Sequence, residues 1–458
     1  MKLRHVPACL IALLAAILSA SGPVCEVSQA ADRPNVVLIL ADDMGYGDLG
    51  CYGCPDIRTP HIDTLAKQGV RLTSFYANGP ECTPTRTGLL TGRYQQRVGG
   101  LECALGIGNV GRYDDAIRLA NQHDLGLPVD RSVLARSLHE AGYSTAICGK
   151  WHLGYEQKFL PLKHGFDYAF GPLGGAVDYF LHHEPGGGDE TMLYQNDQPI
   201  KRDGYMTALI ADEACAFLKR AQQPFFLYAP FNAPHSPFQG PKDGDRPAIT
   251  GENMNRGSRA KYIEMVEYLD ECVGRILKTL EESGAARNTL VIFTSDNGGP
   301  QHSRNEPFSG RKGTTYEGGI RVPCILRWPG RLTAQSESKQ VGITMDLTAS
   351  ILHLAEAKPL ANQPLDGMDI VEHVRQGQAD VARTLFWRQR RGENTWRGVR
   401  TGDLKLVSQQ TGKTRQDWVF DLNQDQTEKN DLSASQPNQL KRLQELLIEW
   451  EKDVQPHR

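Results

Sequence analysis

The run Cys82-Thr83-Pro84-Thr85-Arg86 stands directly ahead of Thr87-Gly88-Leu89-Leu90-Thr91-Gly92-Arg93. Pro84 suits the first position of a helix, and Thr85 to Leu90 can continue it. Cys82 then sits at a helix N-terminus, where free backbone N–H groups and the helix dipole favour an anion. The same residues also describe a buried cysteine before an ordinary helix. Other parts of the chain decide between the two. Asn35-Val36-Val37-Leu38-Ile39-Leu40 reads as a buried strand and runs into Ala41-Asp42-Asp43. Two carboxylates straight after a buried strand are costly unless something cationic neutralises them. A second apolar run, Leu290 to Ser295, ends in Asp296-Asn297-Gly298-Gly299. Two strands ending in oxygen-bearing side chains describe a hard-cation site at the carboxyl edge of a sheet. Carboxylates and a carboxamide, with no histidine among them, favour Ca²⁺, or Mg²⁺ as second choice, over zinc.

Lys150-Trp151-His152 follows the strand-like run Tyr143 to Gly149. Beside Cys82, these residues offer a cation to hold a nucleophile's oxygen and an imidazole that moves protons near neutral pH. Phe225 to Pro230 is a further strand, running into Asn232-Ala233-Pro234-His235-Ser236-Pro237, so His235 lies between two prolines in a stiffened loop. Gly310-Arg311-Lys312-Gly313 opens a loop that leads to another strand, with Arg311 reading as a surface charge.

In order and spacing, these motifs from about Pro34 to Trp328 resemble the formylglycine-dependent (type I) sulfatases, of the arylsulfatase and N-acetylgalactosamine-6-sulfatase kind. The resemblance implies that a maturation enzyme oxidises Cys82 to formylglycine (3-oxoalanine), whose hydrate is the nucleophile. It implies Asp42, Asp43, Asp296 and Asn297 as metal ligands, joined by the modified Cys82. Arg86, Lys150 and Lys312 supply positive charge. His152 assists release of sulfate, while His235 and Lys312 act on the substrate side. The implied reaction is hydrolysis of a sulfate monoester to an alcohol and inorganic sulfate. Two alternatives differ from it: a phosphonate or phosphate ester hydrolase of the same superfamily, and a binding protein that keeps the site without maturation.

The elements that must position these residues alternate along the chain. Strands near 35–40, 144–149, 225–230, 290–295 and 322–328 alternate with helices near 60–68, 132–141, 204–221, 258–283 and 346–356. That pattern predicts an α/β layered fold with a largely parallel sheet, and the resemblance names it an alkaline-phosphatase-like α/β/α sandwich. After about residue 376 short strands with turn signals appear, around Leu385, Val399, Leu406 and Val419. A helix from Asn438 to Asp453 follows, with Leu440, Leu443, Leu446, Leu447 and Trp450 on one face. The expected division is a signal peptide over 1–30, a catalytic domain over 31–375 and a C-terminal α+β subdomain over 376–458.

Lys2 and Arg4 precede an apolar run from Ala8 to Leu18, and small residues follow up to Ala30-Ala31. This predicts a cleaved secretory signal and a secreted or periplasmic protein, without a membrane anchor. A net charge of −3 over 458 residues gives no nucleic-acid footprint. Besides Cys9, Cys25 and Cys82, the cysteines are Cys51, Cys54, Cys103, Cys148, Cys215, Cys272 and Cys324, an odd number that leaves at least one thiol free. The substrate expected is a sulfated small molecule or glycan, most simply a sugar sulfate. Its contacts are expected from three irregular stretches: Gly99 to Asp130, with Arg112, Asp114, Asp115 and His123; Asp178, Tyr179, His182 and His183; and Gln301 to Phe308.

Overall fold

Side chains of the Asn35–Ala41 strand divide by period two between two apolar clusters. Val36, Leu38 and Leu40 enter one; Val37, Ile39 and Ala41 enter the other. A strand apolar on both faces needs helices on both sides, and this computed structural model supplies them. It describes Met1 and residues 33–106, 111–185, 190–245 and 249–456. The segment read as a signal peptide lies outside the described residues, Met1 apart. The helices Cys82–Thr91, Leu134–Glu140 and Thr344–Leu354 cover the first face with Leu89, Leu134, Leu138, Leu347 and Ile351. Pro60–Lys67, Met206–Arg220 and Arg259–Glu282 cover the second with Ile62, Leu65, Ile210, Leu269 and Ile276.

Between the layers lies a 10-stranded sheet. At its centre Asn35–Ala41 pairs in parallel with Phe225–Pro230 on one side and Thr289–Ser295 on the other. Ser144–Cys148 continues the parallel set beside Phe225–Pro230, and Tyr168–Pro172 lies beside it. The strand anticipated over 322–328 is Cys324–Arg327, and it runs antiparallel to Thr289–Ser295. The chain leaves Thr289–Ser295 at its carboxyl end, builds the site loops there and returns directly. Short strands at the flanks, such as Val70–Leu72 and Leu193–Gln195, carry too few residues for a pattern to show in sequence.

Beyond the Ile370–Arg375 helix come four antiparallel strands, Thr384–Arg391, Asn394–Thr401, Leu404–Thr411 and Thr414–Asp421. Gly392, Gly402 and Gly412 open the three two-residue turns at φ +58°, which suits tight hairpins. The Pro437–Asp453 helix packs Leu443, Leu447 and Trp450 onto this sheet, in a cluster with Trp387, Leu406 and Val419. Tyr76, Ile320, Ile343 and Met345 from the main layers join the same cluster. No helix among the described residues is long and apolar enough to cross a membrane.

Candidate active site

Strand register brings the two oxygen-rich pairs together. Ala41 lies opposite Ser295 in the parallel ladder, so Asp42-Asp43 and Asp296-Asn297 emerge side by side at the same sheet edge. Leu40 lies opposite Pro230 on the other side, and Ile147 opposite Tyr228, so the loops with His235 and Lys150 leave at that edge too. The Lys150 N–H donates to the Pro230 carbonyl at 2.7 Å. Cys82 is the first residue of its helix, two earlier than Pro84 suggested, and Gly92 closes the helix at φ +64°. A proline is tolerated anywhere in the first turn, where N–H groups have no helical partner.

Asp42, Asp43, Arg86, Lys150, Asp296 and Asn297 are all buried. Arg86 forks onto Asp296 Oδ2 through Nη2 at 2.9 Å and Nε at 3.1 Å, and its Nη1 donates to the Lys150 carbonyl. Lys150 Nζ pairs with Asp42 Oδ2. Lys312 Nζ lies 2.6 Å from Asp43 Oδ1 and 3.7 Å from Cys82 Sγ, which in turn is 3.2 Å from Asp42 Oδ1. Three carboxylates therefore face three cations around the cysteine. Burial works against ionisation of Asp43, yet Lys312 and His235 hold its carboxyl down to about 2. Burial, with Asp42 beside it, pushes Asp296 up to about 6. For the Cys82 thiol, burial and then Asp296 and Asp42 push the pKa well above the usual range, so the sulfur stays protonated.

Burial and neighbouring cations disfavour the charged form of both histidines. Burial and Lys150 hold His152 well below its ordinary value; burial and Lys312 bring His235 down to about 3. His152 Nε2 bonds the Leu105 carbonyl, so Nε2 carries the proton and the buried, unpartnered Nδ1 keeps a free lone pair. His235 Nδ1 lies 2.5 Å from the Ser236 carbonyl, which leaves Nε2 facing the site, 3.4 Å from Asp43 Oδ2.

A divalent ion fits this donor set. Ligand-type atoms of Asp42, Asp43, Cys82 and His235 lie within 4.8 Å of one another. Asn297 Oδ1 is buried without a hydrogen-bond partner, while its Nδ2 donates to Asp43 Oδ1 at 2.7 Å. An orphaned carboxamide oxygen beside ionised carboxylates is what a hard cation satisfies.

Residues 34–357 match the family model Sulfatase. The chain belongs to the sulfatase family. More specifically it is a formylglycine-type sulfatase, and its reaction class is that of a sulfuric ester hydrolase. Residues 310–453 of this sulfatase also match the model N-sulphoglucosamine sulphohydrolase, C-terminal. The N-acetylgalactosamine-6-sulfatase of Canis lupus familiaris is 37% identical over 390 residues, spanning 81% of this chain and 71% of that protein. The crystal structure of Ps i-CgsB in complex with k-i-k-neocarrahexaose matches with a TM-score of 0.80 at 31% identity, covering 93% of this chain and 94% of that one. Likeness of fold alone extends to the phosphonate monoester hydrolase of Agrobacterium radiobacter, with a TM-score of 0.64 at 20% identity over 92% and 95% of the chains.

The loops expected to contact substrate behave differently in this sulfatase. The stretch Gly99 to Asp130 is not irregular throughout: Asp114–Asn121 is a helix, with Asp114 and Asp115 in its first turn. Asp115 accepts from the Gly100 N–H and pairs with Arg118, while Arg112 and His123 are exposed at positive φ. Asp178 Oδ1 accepts from the N–H groups of Phe180 and Leu181, and Tyr179 donates to the carbonyls of Asn232 and His235. Tyr179 thus braces the His235 loop from behind. His182 is 3% exposed with Nε2 3.0 Å from the Gly204 carbonyl, an engagement in packing. His183 keeps a buried, unpartnered Nδ1. In the third stretch Asn305 brackets Gly299 with two 2.8 Å bonds, fixing the turn after Asn297.

Two participants escaped the sequence reading. Thr83 Oγ1 donates to the His152 carbonyl and accepts from the Leu105 N–H, tying the cysteine helix to His152 and its partner. Thr83 lay in plain view inside the cysteine motif; the Leu105 carbonyl is a backbone atom with no sequence signal. Every cysteine among the described residues is free.

Proposed function

We propose that this protein hydrolyses sulfate monoesters of carbohydrates through a formylglycine made from Cys82, with Ca²⁺ held by Asp42, Asp43, Asp296 and Asn297. The observation that carries the reading is the convergence of these four side chains, Arg86, Lys150 and Lys312 on one buried cysteine at a helix N-terminus. With three carboxylates balanced by three cations, a divalent ion leaves the site net positive, which suits an anionic ester. When bound, the ion adds positive charge where negative charge develops on the transferring group. Matured Cys82 supplies paired hydroxyls in place of the thiol, one to attack sulfur and one to expel sulfate.

The chain's own residues do the rest. Lys150 Nζ and Lys312 Nζ flank residue 82 and hold its oxygen and the ester's sulfonyl group. Arg86 keeps Asp296 in place. His152, whose Nδ1 lone pair is free, takes the proton that leaves the second hydroxyl. His235 must take up a second proton as the anionic ester arrives, and then donates it from Nε2 to the leaving oxygen while its Nδ1–H stays on the Ser236 carbonyl. A sulfated carbohydrate is the substrate class because the related structure carries a carrageenan oligosaccharide and the related mammalian enzyme is named for a sulfated sugar. Export by the N-terminal signal and maturation by a formylglycine-generating enzyme belong to the same reading.

Turnover of paired aryl sulfate and aryl phosphate esters tests the reaction class. The sulfate should be hydrolysed with the higher kcat/KM, and preference for phosphate or phosphonate would favour the hydrolases that share the fold. A panel of defined sulfated oligosaccharides, scored by released sulfate, tests the substrate class. Elemental analysis should find about one calcium per chain, lost together with activity in Asp296→Ala; stoichiometric zinc would contradict the assignment.

A further inference from the structure

Lys312 rides on a loop between Gly310 and Gly313, both at positive φ, ahead of the short Glu317–Ile320 helix, so its own backbone does little to fix it. Bonds to the main layers hold part of it: the Lys312 N–H donates to Gly299 and that of Gly313 to Pro80. The far side is held by the C-terminal sheet and the turn that follows its last strand. Thr315 Oγ1 donates to the Arg397 carbonyl at 2.8 Å, and Ser309 Oγ to the Thr427 carbonyl. The Tyr316 ring lies among Trp396, Trp418 and Phe420, with centroids 6.0 to 6.1 Å away. Glu317 donates its N–H to Glu428 Oε2 at 2.6 Å, while Lys405 Nζ bridges Glu317 Oε1 at 2.6 Å and Glu428 Oε1 at 2.8 Å. All three of those ionisable side chains are fully buried. A buried ion group is a weak device for stability alone, but it accepts only one register between the surfaces it joins.

We propose that the C-terminal sheet is a positioning clamp for Lys312, acting through Thr315, Tyr316 and the buried Glu317–Lys405–Glu428 group. The inference rests on the sulfatase reading for what Lys312 binds. None of the clamp residues touches the reacting atoms; they set where Lys312 Nζ stands between Asp43 and residue 82. Displacing a substrate-binding group by about 1 Å lowers the rate by up to about 100-fold.

A double-mutant cycle separates positioning from general support. Tyr316→Ala should lower kcat/KM for a sulfate ester by about 10- to 100-fold and weaken competitive inhibition by inorganic sulfate, with metal content unchanged. In a Lys312→Ala background the same substitution should change kcat/KM by less than about twofold, since the group it positions is gone. Equal losses in both backgrounds, or no loss beside intact Lys312, would overturn the clamp. Thr315→Val removes one hydroxyl from the same contact surface and runs the same cycle if Tyr316→Ala does not fold. Wild-type turnover is scored first: if no sulfate ester is hydrolysed, the sulfatase reading fails on its own. The cycle is then read from calorimetric binding of inorganic sulfate.

Discussion

As a thiol, Cys82 cannot attack. Burial and the carboxylates of Asp296 and Asp42 keep its proton on, and Asp42 Oδ1 stands 3.2 Å away as an acceptor. Oxidation to the aldehyde removes that constraint, because a hydrate offers one hydroxyl for attack and a second for release. Cys82→Ala should fold and lose turnover by at least about 10⁴-fold; Cys82→Ser should accept sulfate and stall, visible as a stable mass addition on the peptide. Substantial steady turnover by either variant would remove the mechanism. His235 has a narrower role. With Nδ1 fixed by Ser236, only Nε2 reaches the site, so His235→Ala should slow an alkyl sugar sulfate by about 10²–10⁴-fold and a nitrophenyl sulfate far less. Equal losses on the two esters would take the general-acid role away from His235. His235 is legible in sequence because it follows a strand-like run, and Cys82 because its motif opens a helix; each brings an atom type the chemistry requires. His182 is harder to read: an imidazole in a loop looks available, and only the fold reveals that its Nε2 is bonded to the Gly204 carbonyl.

At the level of elements, strand register does the assembling. The Ala41–Ser295 and Leu40–Pro230 pairings place three site loops at one edge before any side chain interacts. Sequence could locate the central strands, since each is a continuous apolar run, but not the direction of Cys324–Arg327 or the existence of strands only two or three residues long. It also missed how tightly the supporting loops pack. Gly175 illustrates this: a Cβ built there would lie 2.4 Å from His152 Nε2, the atom that bonds the Leu105 carbonyl. Gly175→Ala should therefore push the imidazole off that carbonyl and lower kcat by about 10- to 100-fold. The melting temperature should shift by only a few degrees. A large loss of stability with kcat preserved in the folded fraction would show that Gly175 serves packing rather than the position of His152.

Across the whole molecule, the C-terminal sheet is where sequence gave the least warning of consequence. Its strands and helix were readable from turn glycines and the leucine face, but Glu317, Lys405 and Glu428 are far apart in sequence and no local pattern announces that they meet. Their meeting makes stability depend on pH. Burial opposes ionisation of Glu317, yet Lys405, Arg321 and Arg400 hold it down to about 2. Burial pushes Glu428 up to about 7: Lys405 works against that rise, and the neighbouring Glu317 adds to it. The other groups facing this pair are Tyr76, which donates to Glu317 Oε2 at 2.6 Å, Arg321, at 3.1 Å from the same oxygen, and Arg400, bonded to the Tyr76 hydroxyl. An unfolded glutamate titrates near 4.5, so between there and about 7 the folded chain holds a proton on Glu428 that the unfolded chain has released. Folding stability from Glu428 is fully present below that window and is lost as pH rises through it, by up to about 3 kcal/mol. Glu317 acts in the other direction, its contribution disappearing as pH falls from about 4.5 towards 2. Glu428→Gln removes the titrating group while keeping its shape. It should leave stability at pH 5 nearly unchanged, raise it at pH 8 and so flatten the decline between the two, measured by urea unfolding at fixed calcium. An undiminished decline in that variant would place the pH dependence elsewhere in the molecule.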